Sequence, residues 1–178
     1  KKVKKAKRKL SDIWNFSDEE LEQKHDYIQW LFPLIAKSAY NPDAPLLDKD
    51  SIRIMKTDLE ILTNIKKSLD VILSFFGWKI TESGNNVEEI IVSGVPKEKE
   101  WLNHSHNFLR VTRILTFLSI IEQKKLLFLF FLAMCKTVRK NRNNKGLVKS
   151  FLSYWIDVRF LTEEQKKYIR DNFEKMKN

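Results

Sequence analysis

The sequence predicts a single all-α domain, a compact irregular bundle of about six to seven helices over residues 10–178. A length of 178 residues fits one domain. Hydrophobic residues make up 43% of the chain and aromatic residues 12%, with only four glycines and four prolines, which excludes a disordered or fibrous chain. In most segments apolar residues recur every three or four positions, as in an amphipathic helix.

The first predicted helix covers residues 17–32. Ser17 followed by Glu20 is a capping-box pattern, in which each residue satisfies a backbone N–H near the other. Apolar residues then follow at helical spacing until Pro33, which ends the helix. Residues 38–47 contain two prolines and predict a fairly apolar loop.

Two further helices are predicted after this loop. Asp48 is placed to cap a short helix over residues 49–55, and Thr57 with Glu60 opens a longer one. Gly77 stands where a left-handed residue would end that longer helix.

Residues 78–93 interrupt the helical pattern. Runs of β-branched and aromatic residues flank the polar residues 83–86, which predicts either a small β-hairpin or an ordered loop.

The remaining segments are predicted as helices. One begins near Ser105, and the next, over residues 122–139, is apolar nearly all round and should be central. Two closing helices are expected over residues 147–158 and 162–175, the last opened by a capping box of Thr162 with Gln165. The longest apolar run is about half of the roughly 20 residues that a transmembrane helix needs, so it predicts a core helix.

The formal net charge of +10 is unevenly distributed. Residues 1–9 hold seven basic groups and no acid, which predicts a disordered basic tail. Six more basic groups form a second segment without acids, Lys136, Arg139, Lys140, Arg142, Lys145 and Lys149. Taking these thirteen from the 33 lysines and arginines leaves 20 against 23 acids, so the body carries −3. The two basic segments leave weak contact with a nucleic acid or an anionic membrane open as an alternative function.

The single cysteine, Cys135, excludes an intramolecular disulfide and fits a reducing compartment. The start of the chain is charged and not apolar, which is not typical of a secretory signal. We therefore expect a cytoplasmic, or at least intracellular, location. Because the chain begins without Met, we expect a fragment of a longer protein.

Motifs for catalysis are absent from the sequence. The four glycines lie too far apart for a nucleotide-binding loop, and no GxSxG, HExxH or paired CxxC occurs, so neither catalysis nor a cofactor is expected. His25, His104 and His106, with Asp26 nearby, are weak candidates for a metal-dependent enzyme. The alternative is that His104 and His106 cap the helix near Ser105 and that His25 is buried with its hydrogen bonds satisfied.

Two segments are more distinctive. Residues 25–33 (HDYIQWLFP) and residues 106–115 (HNFLRVTRIL) together resemble the conserved region of the opioid growth factor receptor family, which carries HxYIQWLFP and HNxLRITRIL boxes in this order and at a similar spacing. Residues 38–47 and 73–77 look most similar to the compact bacterial-type members. The resemblance covers about residues 10–160.

The resemblance implies a receptor-type module that binds a peptide or protein. For the animal members it implies an enkephalin-type peptide and a nuclear or perinuclear location. The long C-terminal extension with repeats that vertebrate receptors carry is not visible in this sequence, so the resemblance implies the domain and not the whole receptor. The ligand's identity and the oligomeric state stay open.

Within the two boxes, Ile28, Leu31, Phe32 and also Trp30 are expected in the core. Asp26 is expected to pair with Arg110 or Arg113, and this pair either locks two helices together or lines a pocket for an anionic group such as a peptide carboxylate or a phosphate. The candidate ligand-binding residues are His25, Asp26, Tyr27, Gln29, Trp30, His106, Asn107, Arg110 and Arg113.

Overall fold

The computed structural model describes residues 8–83, 86–92, 100–156, 162–165 and 167, and it confirms the mostly helical fold class. A 3₁₀ turn, Trp101–Asn103, precedes the sixth α-helix, and a π-helical turn, Phe151–Trp155, continues the eighth. The α-helices are α1 Leu10–Trp14, α2 Asp18–Gln23, α3 Ile28–Leu31, α4 Lys49–Thr57, α5 Leu59–Phe75, α6 Ser105–Ile120, α7 Lys124–Lys140 and α8 Lys145–Ser150.

The interruption after α5 is a β-hairpin, which confirms one of the two predicted alternatives. Strands β1 (Trp78–Ser83) and β2 (Asn86–Val92) pair antiparallel, with Trp78 opposite Val92. Gly77 separates α5 from β1 and has a φ of 81°, the left-handed conformation predicted for it.

The core lies around α6 and α7. Strand β2 of the hairpin packs on α7, and α5 packs on β1. Helix α7 buries residues on most of its faces, as its apolar sequence predicts. The rings of Phe76 and Trp101 lie 4.3 Å apart between centroids, and Trp78 packs its edge against both. This aromatic cluster anchors the 3₁₀ turn and thereby positions the start of α6.

The prediction of one helix over residues 17–32 is wrong. The Ser17 capping box forms as predicted, but α2 ends at Gln23 and α3 begins only at Ile28. Lys24 is extended, and its carbonyl accepts a hydrogen bond of 2.9 Å from Arg110 on α6. A tertiary contact therefore replaces a helical hydrogen bond that the local sequence pattern supports.

The predicted loop after Pro33 is confirmed. Its two ends pair with each other, and its middle is bonded to the segment before α3. Leu34 and Leu46 form an isolated parallel bridge, and the amide of Asn41 donates to the carbonyl of Asp26 at 2.7 Å. The loop is thereby held beside α3.

Several helix starts agree with the capping residues in the sequence. Asp48 accepts a hydrogen bond from the backbone N–H of Ser51 at the start of α4. Helix α5 begins after Asp58, not Thr57, because the Asp58 carboxylate caps the N–H of Ile61. Helix α1 was not predicted; its Trp14 donates to Ser68 of α5 at 2.9 Å.

The end of the chain is described only in part. Helix α8 turns into the π-helical turn at Phe151, where the sequence predicts a continuous helix over residues 147–158. Thr162 and Gln165 make both hydrogen bonds of the predicted capping box, whereas most of the helix predicted over residues 162–175 lies outside the described residues. In the described part of the chain, no helix is long and apolar enough to cross a membrane.

Candidate functional site

Arg110 joins the two boxes. It lies on α6 with 4% of its surface exposed, and its guanidinium donates to the backbone carbonyls of Glu22 and Lys24 at 3.2 and 2.9 Å. The guanidinium also donates to Asn107 at 2.7 Å and lies over the ring of Tyr27. Burial lowers the pKa of Arg110, but an arginine with these acceptors keeps its charge. These contacts hold α6 against the end of α2 and the segment between α2 and α3, so the role of Arg110 in the fold is structural.

The expected pair of Asp26 with Arg110 or Arg113 does not form. Asp26 pairs with Arg8, with 2.9 Å between Nη1 and Oδ1, and both side chains are partly exposed. The reason is the break after α2, which turns Asp26 away from α6 and leaves backbone carbonyls to face Arg110.

Tyr27 and Asn107 are fully buried. The hydroxyl of Tyr27 donates to the carbonyl of Leu21, and burial raises its pKa. The amide of Asn107 donates to Oε2 of Glu22 and to the carbonyl of Trp101 at 3.0 and 3.1 Å. Both side chains are occupied within the protein.

A cavity of about 550 Å³ lies between the two boxes. Its walls come from α3, from the loop that follows Pro33 and from one face of α6. Five of the nine ligand-binding candidates line it, namely His25, Gln29, His106, Arg110 and Arg113. Asp26, Tyr27, Trp30 and Asn107 do not.

The polar groups of this cavity are basic or neutral. Lys37 and Arg113 contribute cationic groups, and no carboxylate from the described part of the chain lines the walls. Arg113 is half-buried, which lowers its pKa, and among the described residues its guanidinium makes one hydrogen bond, to the carbonyl of Phe32 at 3.2 Å. The cavity therefore favours an anionic group.

Gln29 adds an unpaired acceptor. Its side-chain N–H groups donate to the carbonyl of His25 at 3.3 Å and to the hydroxyl of Ser38 at 3.5 Å. Its Oε1 is buried and has no hydrogen-bond partner among the described residues. An unsatisfied buried acceptor costs about 1–3 kcal/mol, so an N–H or O–H donor in the cavity would be favoured.

The sequence interpretation missed part of the lining. Leu109 and Thr116 lie on the same face of α6 as His106 and Arg113, and a helical spacing of three and four from those residues would have predicted them. Tyr40 and its neighbours also line the cavity, and they lie in the predicted loop over residues 38–47, to which the sequence assigned no ligand-binding role. No local sequence pattern predicts that a loop will form the wall of a cavity, because that depends on where the loop packs.

A second cluster lies at the start of α6. Nε2 of His106 is 2.7 Å from Oε1 of Glu22, and Nε2 of His104 is 3.9 Å from the same oxygen. The ring of His25 packs against His106 with 4.8 Å between centroids. Burial, and then the charge of Arg110, lower the pKa of His106, while Glu22 opposes this shift.

The predicted alternative roles of these histidines are wrong. His104 is the N-cap residue of α6, but its side chain makes no capping hydrogen bond. His25 is exposed, not buried, because it lies in the break between α2 and α3. The carboxylate that lies close to the imidazoles of His104 and His106 is that of Glu22, which the sequence did not identify as a site residue.

An acidic groove of about 410 Å³ adjoins this cluster. It is lined by Asp18, Glu19, Glu22 and Glu100, together with His104 and the buried Trp101. The cavity and the groove therefore differ in charge, with basic groups in the cavity and carboxylates in the groove.

The prediction that Trp30 is a core residue is wrong. It is 43% exposed and borders a separate cavity of about 280 Å³ beside Leu10 and Leu46. Because the chain is extended before α3, Trp30 no longer has the helical phase that one continuous helix would impose.

The second basic segment is exposed at the end of α7 and along α8. Lys136 pairs with Glu89 of β2 at 2.7 Å. Cations near the carboxyl end of a helix are favoured by its dipole, so this placement has a structural explanation.

Comparison with known proteins agrees with the two boxes. A family model described as the opioid growth factor receptor conserved region matches residues 6–178. Opioid growth factor receptor of Rattus norvegicus is 31% identical over 102 residues, which are 57% of this chain and 17% of that protein. Opioid growth factor receptor-like protein 1 of Mus musculus is 38% identical over 104 residues, or 57% of this chain and 22% of that protein.

The human opioid growth factor receptor is 33% identical over 103 residues, or 57% of this chain and 15% of that protein. In each of these three relatives the chain matches less than a quarter of the length. No solved structure matches significantly. The family match extends over nearly the whole chain, and this protein therefore belongs to the opioid growth factor receptor conserved-region family.

Proposed function

We propose that this chain is a receptor-type module that binds a short peptide, or an exposed segment of a partner protein, without catalysis. The ligand occupies the cavity between the two boxes. The observation that carries the proposal is that Oε1 of Gln29 has no partner among the residues that the structure describes, in a cavity to which those residues contribute cationic groups and no carboxylate.

The size and chemistry of the cavity support a peptide. Its volume of about 550 Å³ falls in the range of about 300–1,000 Å³ typical of ligand sites. Apolar wall residues such as Ile28 and Leu34 suit a ligand side chain. A backbone N–H of the ligand would satisfy Gln29, and a carboxylate would pair with the Arg113 guanidinium.

The two arginines have different roles in this proposal. Arg110 uses three of its five N–H groups on acceptors within the protein, so its main contribution is to support the cavity wall. Arg113 makes one hydrogen bond among the described residues, and Lys37 is exposed and lines the same cavity. We assign the anionic end of the ligand to Arg113 and Lys37.

The names of the relatives suggest the first ligand to test. Because they are opioid growth factor receptors, an enkephalin-type peptide is the probe of choice. We propose an intracellular location, cytoplasmic or nuclear, which microscopy of a fluorescent fusion tests directly; secretion of the fusion would contradict it.

Calorimetric titration tests the binding proposal. An enkephalin peptide and a pool of short peptides with free C-termini are compared with their C-terminal amides. The free carboxylate should bind more tightly by at least about tenfold, the worth of one charge-assisted hydrogen bond of about 1.5 kcal/mol. Arg113→Met and Lys37→Met should remove this preference.

Arg53→Met is the matched control, because Arg53 is exposed on α4 and does not line the cavity. Denaturant unfolding establishes that each variant folds. Absence of binding by both peptide sets, or equal binding of acids and amides to every variant, would overturn the proposal.

A further inference from the structure

We propose that Glu22, His104 and His106 bind one divalent transition-metal ion of the chemical class of Zn²⁺. The site lies at the junction of α2 with the start of α6. Glu22 and His104 do not line the cavity between the boxes, whereas His106 lies in the wall of that cavity as well. The peptide contacts proposed above belong to Gln29, Arg113 and Lys37, and none of these is a proposed metal ligand.

The three ligand atoms converge. Both imidazole Nε2 atoms approach Oε1 of Glu22, at 2.7 Å for His106 and 3.9 Å for His104. One ligand atom from each of the three residues lies within 4.8 Å of the others. Ligands at about 2.0–2.1 Å from a tetrahedral metal lie roughly 3.4 Å apart, so the separations between the ligand atoms would have to change by up to about 1.4 Å to complete the arrangement.

Two of these atoms lack a hydrogen-bond partner. Oε1 of Glu22 and Nε2 of His106 are buried, and neither makes a hydrogen bond within the part of the chain that the structure describes. Two lone-pair donors at 2.7 Å repel each other when no cation or proton lies between them. A metal ion at this point would satisfy both atoms.

The carboxylate is oriented by its neighbours. Oε2 of Glu22 accepts a hydrogen bond of 3.0 Å from Asn107, which itself accepts one of 2.7 Å from Arg110. This chain holds Oε1 toward the imidazoles, as outer-shell hydrogen bonds commonly do for metal ligands. The rings of His104 and His106 stack with 5.5 Å between centroids and 25° between planes, which keeps the two imidazoles side by side.

The surrounding charge favours a cation. Asp18, Glu19 and Glu100 line the adjoining acidic groove and oppose the positive charge of Arg110. His104 is more than half exposed, so solvent reaches the cluster and a water can supply a fourth ligand. Two imidazoles and one carboxylate select Zn²⁺ and related ions over Mg²⁺ or Ca²⁺, which prefer oxygen ligands.

Metal titration of the chelator-treated protein tests the proposal. Zn²⁺ is added in competition with a chromophoric chelator, and Co²⁺ is added to record its visible absorption bands. One equivalent should bind, an excess of Mg²⁺ should not displace it, and the melting temperature should rise with Zn²⁺.

Glu22→Gln and His104→Gln should each weaken Zn²⁺ binding by at least about 100-fold, since even outer-shell partners are worth about 10- to 100-fold. Glu19→Gln is the matched control, because it removes the same charge from the same helix and the same groove without removing a ligand. It should bind Zn²⁺ within about threefold of the parent chain, the weak effect of an exposed charge.

Three results would overturn the site. These are no saturable Zn²⁺ binding by the parent chain, equal losses in Glu19→Gln and Glu22→Gln, or an equal loss in His25→Gln, which would point to a different ligand set. Melting curves without metal show whether each variant is folded.

Discussion

The guanidinium of Arg110 donates a hydrogen bond of 2.9 Å to the carbonyl oxygen of Lys24. In a continuous helix this carbonyl would accept from the N–H of Ile28, one turn later. The side chain from α6 takes that place, so a residue of the second box determines the backbone path of the first. His25 follows Lys24 directly in the chain, and both His25 and Gln29 line the cavity.

Replacing Arg110 by Met should lower the free energy of unfolding by about 3 kcal/mol. Its charge-assisted hydrogen bonds are worth about 1.5–3 kcal/mol each, and the abandoned carbonyls stay partly buried. Urea unfolding measures the loss. Arg53→Met, on the exposed face of α4, should change stability by less than about 0.5 kcal/mol. Similar values for the two variants would contradict the framework role.

The left-handed conformation of Gly77 predicts a cost for a side chain there. Gly77→Ala should destabilise the protein by about 1–2 kcal/mol, because φ is 81°. Gly146→Ala is the comparison: a Cβ there would lie 3.4 Å from the Phe108 ring, an ordinary contact, and Ala favours helix α8 by up to about 1 kcal/mol. Thermal unfolding should move the two melting temperatures in opposite directions. If both melting temperatures moved in the same direction, the left-handed conformation of Gly77 would not be the cause of the effect.

Asp70 on α5 predicts a pH-dependent stability. Partial burial raises the pKa of this carboxyl; Lys66 opposes the shift and Glu82 adds to it. The folded protein then holds the proton more tightly than the unfolded chain. The free energy of unfolding therefore falls as pH rises from the ordinary value of 3.8 through the folded pKa, and the penalty is complete above it.

Asp70→Asn should consequently raise the melting temperature at about pH 7 and lose this advantage near pH 3.5, where the parent carboxyl is largely protonated. Asp43→Asn, in the exposed loop, removes the same charge as a control. If Asp70→Asn raised the melting temperature by the same amount at both pH values, this explanation would be wrong.

Cys135 should react slowly with alkylating reagents in the folded protein. Burial raises the pKa of its thiol from 9.0 to about 12, so the nucleophilic thiolate is rarer by roughly a thousandfold. Mass spectrometry after iodoacetamide treatment, with and without urea, measures the protection. Rapid labelling of the folded protein would show that the α7 core opens locally.

Capping residues were the most informative part of the sequence. Ser17, Asp48 and Gly77 lie at the helix ends they predict, because a cap depends on atoms three or four residues away. The hairpin followed from β-branched runs on either side of a polar turn. The two boxes predicted the family because their residues are contiguous in the chain.

The candidate site was predictable only in part. The spacing of His106, Arg110 and Arg113 marks one face of α6, so their common side could be inferred from helix geometry alone. The partner of Asp26 could not be inferred, since Arg8 lies in a segment whose path no local pattern specifies. The prediction that Trp30 is buried failed because it assumed one continuous helix, and the chain breaks between α2 and α3.

The sequence by itself determined the helical class, the helix starts, the hairpin and the family, because each depends on residues close together in the chain. Only the tertiary structure decided the break between α2 and α3, the cavity walls and the meeting of Glu22 with His104 and His106. These depend on contacts such as that of Arg110 with Lys24, which lie 86 positions apart and meet only after α6 has packed onto the first box. A periodic sequence pattern indicates which face of a helix is apolar, but it does not indicate which distant side chain will donate a hydrogen bond to a backbone carbonyl.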